Sequence, residues 1–140
     1  MLRSRVPIFA FIALAGCVTT ADPDDRALGE VRLMETARLA TVEVTPIAVV
    51  EDSRCPIGVQ CIQAGTVRIR ARVTQSGGTR DVTLSLGEPL VVGGGELSLV
   101  RVCPYPVYRS PIAPNDYRFS LRLTDSGAAP QPELPACSTS

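Results

Sequence analysis

The sequence predicts an all-β protein, either an antiparallel β-sandwich or a small barrel of about six to eight strands. Short stretches that alternate apolar and polar residues recur along the chain, and turns rich in Gly and Pro separate them. After the N-terminal segment, no stretch keeps a helical period over several turns. These observations favour sheets over helices throughout the folded part of the chain.

The N-terminus is typical of a bacterial lipoprotein signal peptide. Arg3 and Arg5 precede the apolar residues 6–13, a run shorter than the roughly 20 residues that a membrane-spanning helix needs. Residues 14–17, Leu-Ala-Gly-Cys, match the bacterial lipobox, in which the Cys thiol receives a diacylglyceryl group. We therefore predict that Cys17 is lipidated. The alternative is an ordinary secretory leader that ends near Cys17.

A single acyl chain gives only reversible membrane binding, so two or more chains on Cys17 would anchor the protein stably. Val18 stands where the inner-membrane retention rule of enterobacteria looks for Asp, which favours the periplasmic face of the outer membrane. The predicted divisions are a signal peptide at 1–16, the lipidated Cys and a flexible tether at 17–28, a β-sandwich domain at 29–124 and a Pro- and Ser-rich tail at 125–140.

Composition limits the possible functions. The 140 residues provide for one domain. All 14 basic residues are Arg, and the two in the leader leave 12 against 14 acidic residues, which argues against nucleic-acid binding. The chain has no His, which excludes Ser–His and Cys–His nucleophile pairs. No cofactor is expected.

Four cysteines besides Cys17 predict two disulfides in an oxidising compartment, and four cysteines permit three pairings. We favour Cys55 with Cys61, because the five residues between them include a Pro and a Gly and can bring the two Cα atoms within about 4.4–6.8 Å. Cys103 and Cys137 then pair by elimination. A thiolate metal site is the alternative, which the absence of His and of a Cys-x-x-Cys motif disfavours.

In chain order, the first strands are expected at residues 31–33 and 40–45. Pro46 interrupts the alternation and predicts a bulge or an edge bend before residues 47–50. The clearest strand, residues 66–73, has apolar residues on one face and Arg68, Arg70 and Arg72 on the other. Because a slip of one residue would bury three guanidinium groups, the register of this strand is strongly fixed.

Residues 76–79 form a predicted turn into a strand at 82–86, and further strands are expected at residues 90–92, 96–102 and 117–123. The alternation breaks at Leu99 and Val100, which predicts a bulge there. Pro104 and Pro106 must end the pairing of that strand, because Pro cannot donate to a ladder. In the last strand, the side chains expected to face inward are those of Tyr117, Phe119, Leu121 and Leu123.

One pattern carries a resemblance to known proteins. Its parts are residues 52–56 (Asp-Ser-Arg-Cys-Pro), Val59, Cys61, residues 64–65 (Ala-Gly), residues 104–106 (Pro-Tyr-Pro) and Tyr117. The pattern resembles that of a family of small uncharacterised bacterial lipoproteins and secreted proteins, whose members often carry Trp where this chain has Gln63. The resemblance covers most of the chain from Gly29 to Leu123. It implies the fold and the envelope location, and no chemistry.

The same segment supplies the first candidate site. Arg54 beside Glu51 and Asp52 is a candidate for ligand binding, although an Arg–carboxylate pair that braces the disulfide loop is the simpler interpretation. A disulfide-closed loop could also occupy a protease cleft, with Ile57 or Arg54 entering the specificity pocket. Glu51 and Asp52 are adjacent and point to opposite faces of a strand, so they do not form a glycosidase pair.

Two further sets of residues are binding candidates. Arg68, Arg70 and Arg72, extended by Arg118 and Arg122, could meet lipid phosphates or anionic glycans. A solvated outer face is the simpler interpretation of these arginines. Tyr105 lies between two prolines and is expected to form a rigid corner over the core edge, with peptide docking as the alternative.

The sequence therefore predicts a non-enzymatic, lipid-anchored protein of the cell envelope that serves as a structural or interaction module. No catalytic residue and no metal site are expected. The expected partners are the membrane, through the anchor, and an envelope protein or an anionic glycan or lipid. A protease inhibitor is the alternative, and an exposed, convex loop between Cys55 and Cys61 would favour it over a binding module.

Overall fold

The structure is a computed structural model that describes residues 28–93, 95–127 and 133–137. The predicted signal peptide, Cys17 and all but the last residue of the predicted tether lie outside the described residues. Within them the strands are β1 Leu28–Val31, β2 Ala37–Leu39, β3 Val42–Asp52, β4 Val67–Gln75, β5 Gly78–Ser85, β6 Pro89–Val92, β7 Gly95–Cys103 and β8 Arg118–Asp125, with a short 3₁₀ helix at Pro114–Asp116.

The strands form two four-stranded sheets. The first sheet has the order β1-β8-β7-β6, and the second has the order β2-β3-β4-β5. Every pair of neighbouring strands within the two sheets is antiparallel. The predicted all-β antiparallel fold is therefore confirmed, and it is a sandwich of two open sheets.

The core lies between the sheets and follows the alternation of the strands. In β4 the apolar residues Val67, Ile69, Ala71 and Val73 have 0% exposed surface, while the arginines between them are exposed, as predicted. In β8, Phe119 and Leu121 are also fully buried, and Leu123 packs against the core from its margin. The core is almost entirely aliphatic, so packing relies on branched side chains.

Both predicted irregularities are present. The pairing of β3 with β4 shifts register between Pro46 and Ala48, two residues beyond the last β2 ladder pair at Val44. The Pro46 carbonyl still accepts from the Met34 amide at 2.8 Å. The pairing of β7 with β8 shifts between Leu99 and Arg101, where the alternation breaks. Two short strands differ from prediction. The structure places β1 at residues 28–31 instead of 31–33. The sequence does not predict β2, because its three residues are too few to show a period.

The two ends of the sandwich differ. At one end β3 and β7 finish and β4 and β8 begin, and the long connections 53–66 and 104–117 lie there. We call this the motif end, because it carries the residues of the pattern found in the sequence. The opposite end carries shorter turns, among them residues 76–77 between β4 and β5.

Candidate functional site at the motif end

The two long connections pair with each other. The Ile57 amide donates to the Pro106 carbonyl at 2.8 Å, and the Tyr108 amide donates to the Ile57 carbonyl at 3.4 Å. Ile57 and Val107 thereby form a short parallel bridge outside the named strands. Since residues 53–66 leave the second sheet and residues 104–117 leave the first, this bridge joins the two sheets at the motif end.

Arg54 is the centre of a buried polar cluster beneath that bridge. Its side chain is 7% exposed, and it makes a bidentate pair with Asp52, Nε to Oδ1 at 2.8 Å and Nη2 to Oδ2 at 2.6 Å. Nη1 donates to the Val102 carbonyl, and Nη2 also donates to the Pro104 carbonyl at 3.0 Å. The guanidinium therefore links the end of β3 to the end of β7, and its buried charge is paired and hydrogen-bonded.

Tyr117 completes the cluster from the start of β8. Its hydroxyl donates to Asp52 Oδ2 at 3.0 Å, and its ring stacks on Phe119 at 5.8 Å between centroids. Burial, together with the adjacent Asp52 carboxylate, raises the pKa of Tyr117 to about 12. Burial alone would raise the pKa of Asp52, but the hydrogen bonds and charge of Arg54, with the Tyr117 hydroxyl, outweigh it and hold that pKa below its ordinary value.

The base of the two-cysteine loop is closed by backbone contacts. The Ser53 amide donates to the Thr66 carbonyl at 2.8 Å, and the Thr66 amide donates to Ser53 Oγ at 3.1 Å. A Cβ on Gly65 would lie 1.5 Å from the Ser53 carbonyl oxygen, so this position requires Gly. The predicted disulfide between Cys55 and Cys61 is present, with Cα atoms 5.9 Å apart.

The second predicted disulfide, Cys103–Cys137, is also present, with Cα atoms 5.6 Å apart. It holds residues 133–137 against the outer face of the first sheet, where Arg101 Nη1 donates to the Pro135 carbonyl at 2.7 Å. Arg101 is also paired with Glu30 at 2.6 Å, so the same guanidinium joins β7, β1 and the tail. The four cysteines that the structure describes are therefore held in disulfides, and none of these four offers a thiolate to a metal.

The arginine face does not form as one surface. Arg68, Arg70 and Arg72 lie on β4 in the second sheet, whereas Arg118 and Arg122 lie on β8 in the first sheet. The predicted extension of the β4 arginines by Arg118 and Arg122 is therefore wrong, because β4 and β8 belong to different sheets. Within the β4 set, Arg68 pairs with Glu51 and Arg72 pairs with Asp81 at 2.9 Å.

The same ion pairs shift the pKa values of Glu51 and Arg72. The hydrogen bond from Arg68 is the largest of the contacts that hold the pKa of Glu51 below its ordinary value. The hydrogen bond from Asp81 raises the pKa of Arg72. Two of the three arginines are thus matched by carboxylates across the strands, which reduces the positive charge that the face offers to an anion.

Arg54 and Tyr105, the other binding candidates, differ in their exposure to solvent. Arg54 is buried and its donors are occupied, so it is not available to enter a protease pocket or to contact a free ligand. Tyr105 is 47% exposed, and the Arg54 guanidinium lies 5.7 Å from its ring centroid. Tyr105 therefore covers the cluster on one side and faces solvent on the other.

Exposed apolar side chains concentrate at the motif end. Among the described residues the exposed large hydrophobics are Met34, Val50, Ile57, Val59, Ile62, Val91, Tyr105, Val107 and Tyr108. All but three of them belong to the two paired connections. We define the apolar tip as Ile57, Val59, Ile62, Val107 and Tyr108, in which Ile62 is completely exposed at 103%. The base of the two-cysteine loop is therefore packed, while the part beyond Pro56 projects into solvent.

Two clefts border the motif end. One, of about 460 Å³, opens beside Asp52 and Tyr117 and is lined on its other sides by residues that include Val107, Arg109 and Ile112. The other, of about 520 Å³, lies between the tail and the first sheet, with Tyr105 on its wall. In the first cleft the Asp52 carboxylate is already bonded to Arg54 and Tyr117, so its oxygens are not free acceptors.

Sequence reasoning identified most of these residues without their contacts. The pattern grouped Asp52, Arg54, Tyr105 and Tyr117, which the structure brings together. It missed the Val102 carbonyl as the acceptor that ties Arg54 to the first sheet. Backbone acceptors carry no residue-type signal, so no sequence pattern would have indicated this contact.

Within the described ranges, no three side chains of the kind that ligate metals lie together, and no helix is long and apolar enough to cross a membrane. No protein-family model matches the chain, and comparisons with curated proteins and with solved structures find no similar protein.

Proposed function

We propose that this protein is a lipid-anchored module of the bacterial cell envelope that binds a partner through the apolar tip and catalyses no reaction. The observation that carries the proposal is the concentration of exposed apolar side chains on two connections that are bonded to each other. Exposed apolar patches on soluble domains commonly mark interaction sites. The lipobox at Cys17 supplies the anchor in this proposal.

The tip is well suited to binding because it is held in place before a partner arrives. The Cys55–Cys61 disulfide closes its loop, the Ile57 backbone is bonded to the second connection, and Arg54 fastens both connections from beneath. A surface with few conformations to lose is ordered at low entropic cost on binding. The buried cluster is then a support for the tip.

The chemistry of the cluster supports binding over catalysis. The charges of Arg54 and Asp52 neutralise each other, and the bidentate pair uses both carboxylate oxygens. A pKa of about 12 keeps the Tyr117 hydroxyl protonated at neutral pH, so it is a poor general base. A group that acts on a substrate proton needs a pKa near the working pH.

The geometry of Ile57 weighs against the protease-inhibitor alternative. A residue that enters a protease specificity pocket presents its backbone to the enzyme as an extended strand. Both the amide and the carbonyl of Ile57 are already bonded to the second connection. The exposed loop, which would favour an inhibitor by shape alone, is therefore better explained as a projecting contact surface.

The proposal is tested by photo-crosslinking in intact cells. A photoreactive amino acid replaces Ile62 in one variant and Val91 in a control, since both side chains are exposed apolar residues and Val91 lies on β6 away from the tip. We expect a discrete covalent product, to protein or lipid, from position 62 only. Equal products from both positions, or none from position 62, would contradict the proposed contact surface.

The anchor is tested separately by membrane fractionation. We expect the full chain to sediment with membranes and to be released only by detergent, because two or more acyl chains hold it there. The Cys17→Ser variant removes the thiol that would be acylated, and we expect it in the soluble fraction. Retention of this variant in membranes would contradict anchoring through Cys17.

A further inference from the structure

We propose that the partner of the apolar tip is the lipid surface itself, so that the domain lies with its motif end in the interfacial layer of the membrane that holds its anchor. This inference rests on the proposed lipid anchor. It goes further by naming the partner and by fixing which end of the sandwich faces the bilayer.

The segments that form the apolar tip carry no charged side chain. Residues 55–66 contain no Asp, Glu, Lys or Arg, and neither do residues 102–108, although charged residues are frequent in the rest of the chain. A charged side chain is costly to move into a bilayer, so a segment that enters one is expected to lack them. A contact with a soluble protein imposes no such requirement, since polar rims are normal there.

Tyr108 and Arg109 lie at the border of the tip, and both side chains suit a membrane interface. Arg109 is the first charged residue beyond the tip, and its guanidinium lies 5.1 Å from the centroid of the Tyr108 ring. Tyr is favoured at the membrane interface, where its ring meets apolar chains and its hydroxyl stays near water. An Arg beside it can reach the phosphate layer while its stem lies along the ring.

Part of the backbone at the apolar tip is hydrogen-bonded within the protein. Polar backbone groups enter an apolar environment at low cost only when they are bonded to each other. At the tip, the Ile57 amide bonds the Pro106 carbonyl, and the Ile57 carbonyl accepts from the Tyr108 amide. The Val59 amide contacts the Pro56 carbonyl at 3.4 Å. The part of the tip around Ile57, Val59 and Tyr108 therefore has three backbone bonds made within the protein.

The length of the segment between Cys17 and β1 limits how the domain can lie relative to the anchor. Ten residues separate Cys17 from Leu28, and a chain of this length spans at most about 36 Å. Leu28 pairs with Arg122, four residues along β8 from the motif end, or about 14 Å. The tether is thus long enough for the motif end to face the membrane. An anchor that keeps the tip near the surface raises its effective concentration there, so weak insertion suffices.

The test uses tryptophan fluorescence, because the chain contains no Trp. The full chain is expressed with its leader, extracted in detergent and reconstituted into phosphatidylcholine vesicles with either ordinary or brominated acyl chains. Bromine quenches a tryptophan that enters the acyl layer. The Ile62→Trp variant reports on the tip, and the Val91→Trp variant is the matched control, with Val107→Trp as a second tip position in case Ile62→Trp misfolds.

We expect brominated lipid to remove most of the emission of Ile62→Trp and to leave that of Val91→Trp unchanged. Flotation of the same vesicles reports on the anchor. Protein that floats while Ile62→Trp stays unquenched overturns this inference and leaves the anchored module intact. Protein that does not float overturns both. An emission shift to the blue without quenching by bromine shows that protein covers the tip, and it also overturns the lipid surface as partner.

Discussion

Arg54 is the single residue on which the structure of the motif end most depends. Its guanidinium reaches a carboxylate of the second sheet, the Val102 carbonyl of the first sheet and the Pro104 carbonyl just beyond it, and almost no water reaches the group. A buried pair of this kind adds little net stability over apolar packing, but removal of one partner leaves the other charge buried and unpaired. Removal of Arg54 is therefore expected to cost more free energy of unfolding than its own bonds contribute.

We expect Arg54→Ala to lower the free energy of unfolding by about 3–5 kcal/mol, because it strands the Asp52 carboxylate and two carbonyls. Denaturant unfolding measures the change. The matched control is Arg68→Ala, which removes an exposed pair with Glu51 and should change stability much less. Equal losses in the two variants would contradict the role of Arg54 as a brace.

The cluster also predicts how stability depends on pH. The pKa of Asp52 is lowered, so its contribution is fully present above the ordinary value of 3.8 and is lost as the pH falls through the folded value. The pKa of Tyr117 is raised from 10.0 to about 12, so its contribution is present below pH 10 and is lost as the pH rises towards 12.

We expect Tyr117→Phe to abolish the alkaline loss of stability while the acidic loss remains. Denaturant unfolding at a series of pH values measures both. Loss of the hydroxyl bond to Asp52 should itself cost about 1–2 kcal/mol at neutral pH. An alkaline loss that survives in Tyr117→Phe would show that another group causes it.

Gly65 gives the most local prediction. In Gly65→Ala the added methyl group would overlap the Ser53 carbonyl oxygen, and the backbone must move to relieve the contact. We expect a loss of at least about 3 kcal/mol, measured by thermal or denaturant unfolding. Gly77→Ala is the control, because a Cβ there meets nothing within 4 Å, and it should leave stability within about 1 kcal/mol.

Among the elements, the strands with a strong period could be predicted from the sequence, and their partners could not. The alternation in β4 gave its buried face correctly, and the broken alternation in β7 gave the position of its bulge. The sheet that each strand joins depends on long-range pairing, which leaves no local signal. For that reason, the prediction that Arg118 and Arg122 share a sheet face with the β4 arginines is wrong.

The contacts of the candidate site could be predicted from the sequence only where the two residues are close in the chain. The Asp52–Arg54 pair is close in the chain, so its bracing role was open to sequence reasoning. The contact of Asp52 with Tyr117 spans 65 residues, and the contact of Arg54 with the Val102 carbonyl spans 48. The exposure of the tip depends on how the two connections pack, and no composition or period in the sequence fixes that.

The two disulfides act on different elements and should differ in effect. Cys55–Cys61 closes a separation of 6 residues, whereas Cys103–Cys137 closes 34 and holds the tail to the first sheet. By loop entropy we expect a loss of about 2 kcal/mol for the double Cys→Ser variant of the first pair and about 4 kcal/mol for the second. Chemical denaturation without reductant measures both, and the reverse order would contradict the tail as a stabilising element.

At the scale of the whole molecule, the sandwich is asymmetric. One end has short turns, and the other has two long connections that are joined by a backbone bridge between Ile57 and Val107 and by the bond from Arg54 to the Pro104 carbonyl. The Cys55–Cys61 disulfide closes the first of these connections on itself. These contacts hold an uncharged apolar tip in one conformation. Together with a lipobox upstream of the domain, the asymmetry favours a protein that is presented at a membrane with one end dedicated to contact.

We propose that an acylated Cys17 holds a disulfide-bonded domain at the membrane, and the intact mass of the mature protein from detergent-extracted membranes reports on the acyl groups and the disulfides together. Alkylation is carried out before and after reduction. We expect a chain that begins at Cys17 and carries acyl groups, with Cys55, Cys61, Cys103 and Cys137 alkylated only after reduction. A chain without acyl mass would contradict the anchor at Cys17, and cysteines alkylated without reduction would contradict the two disulfides.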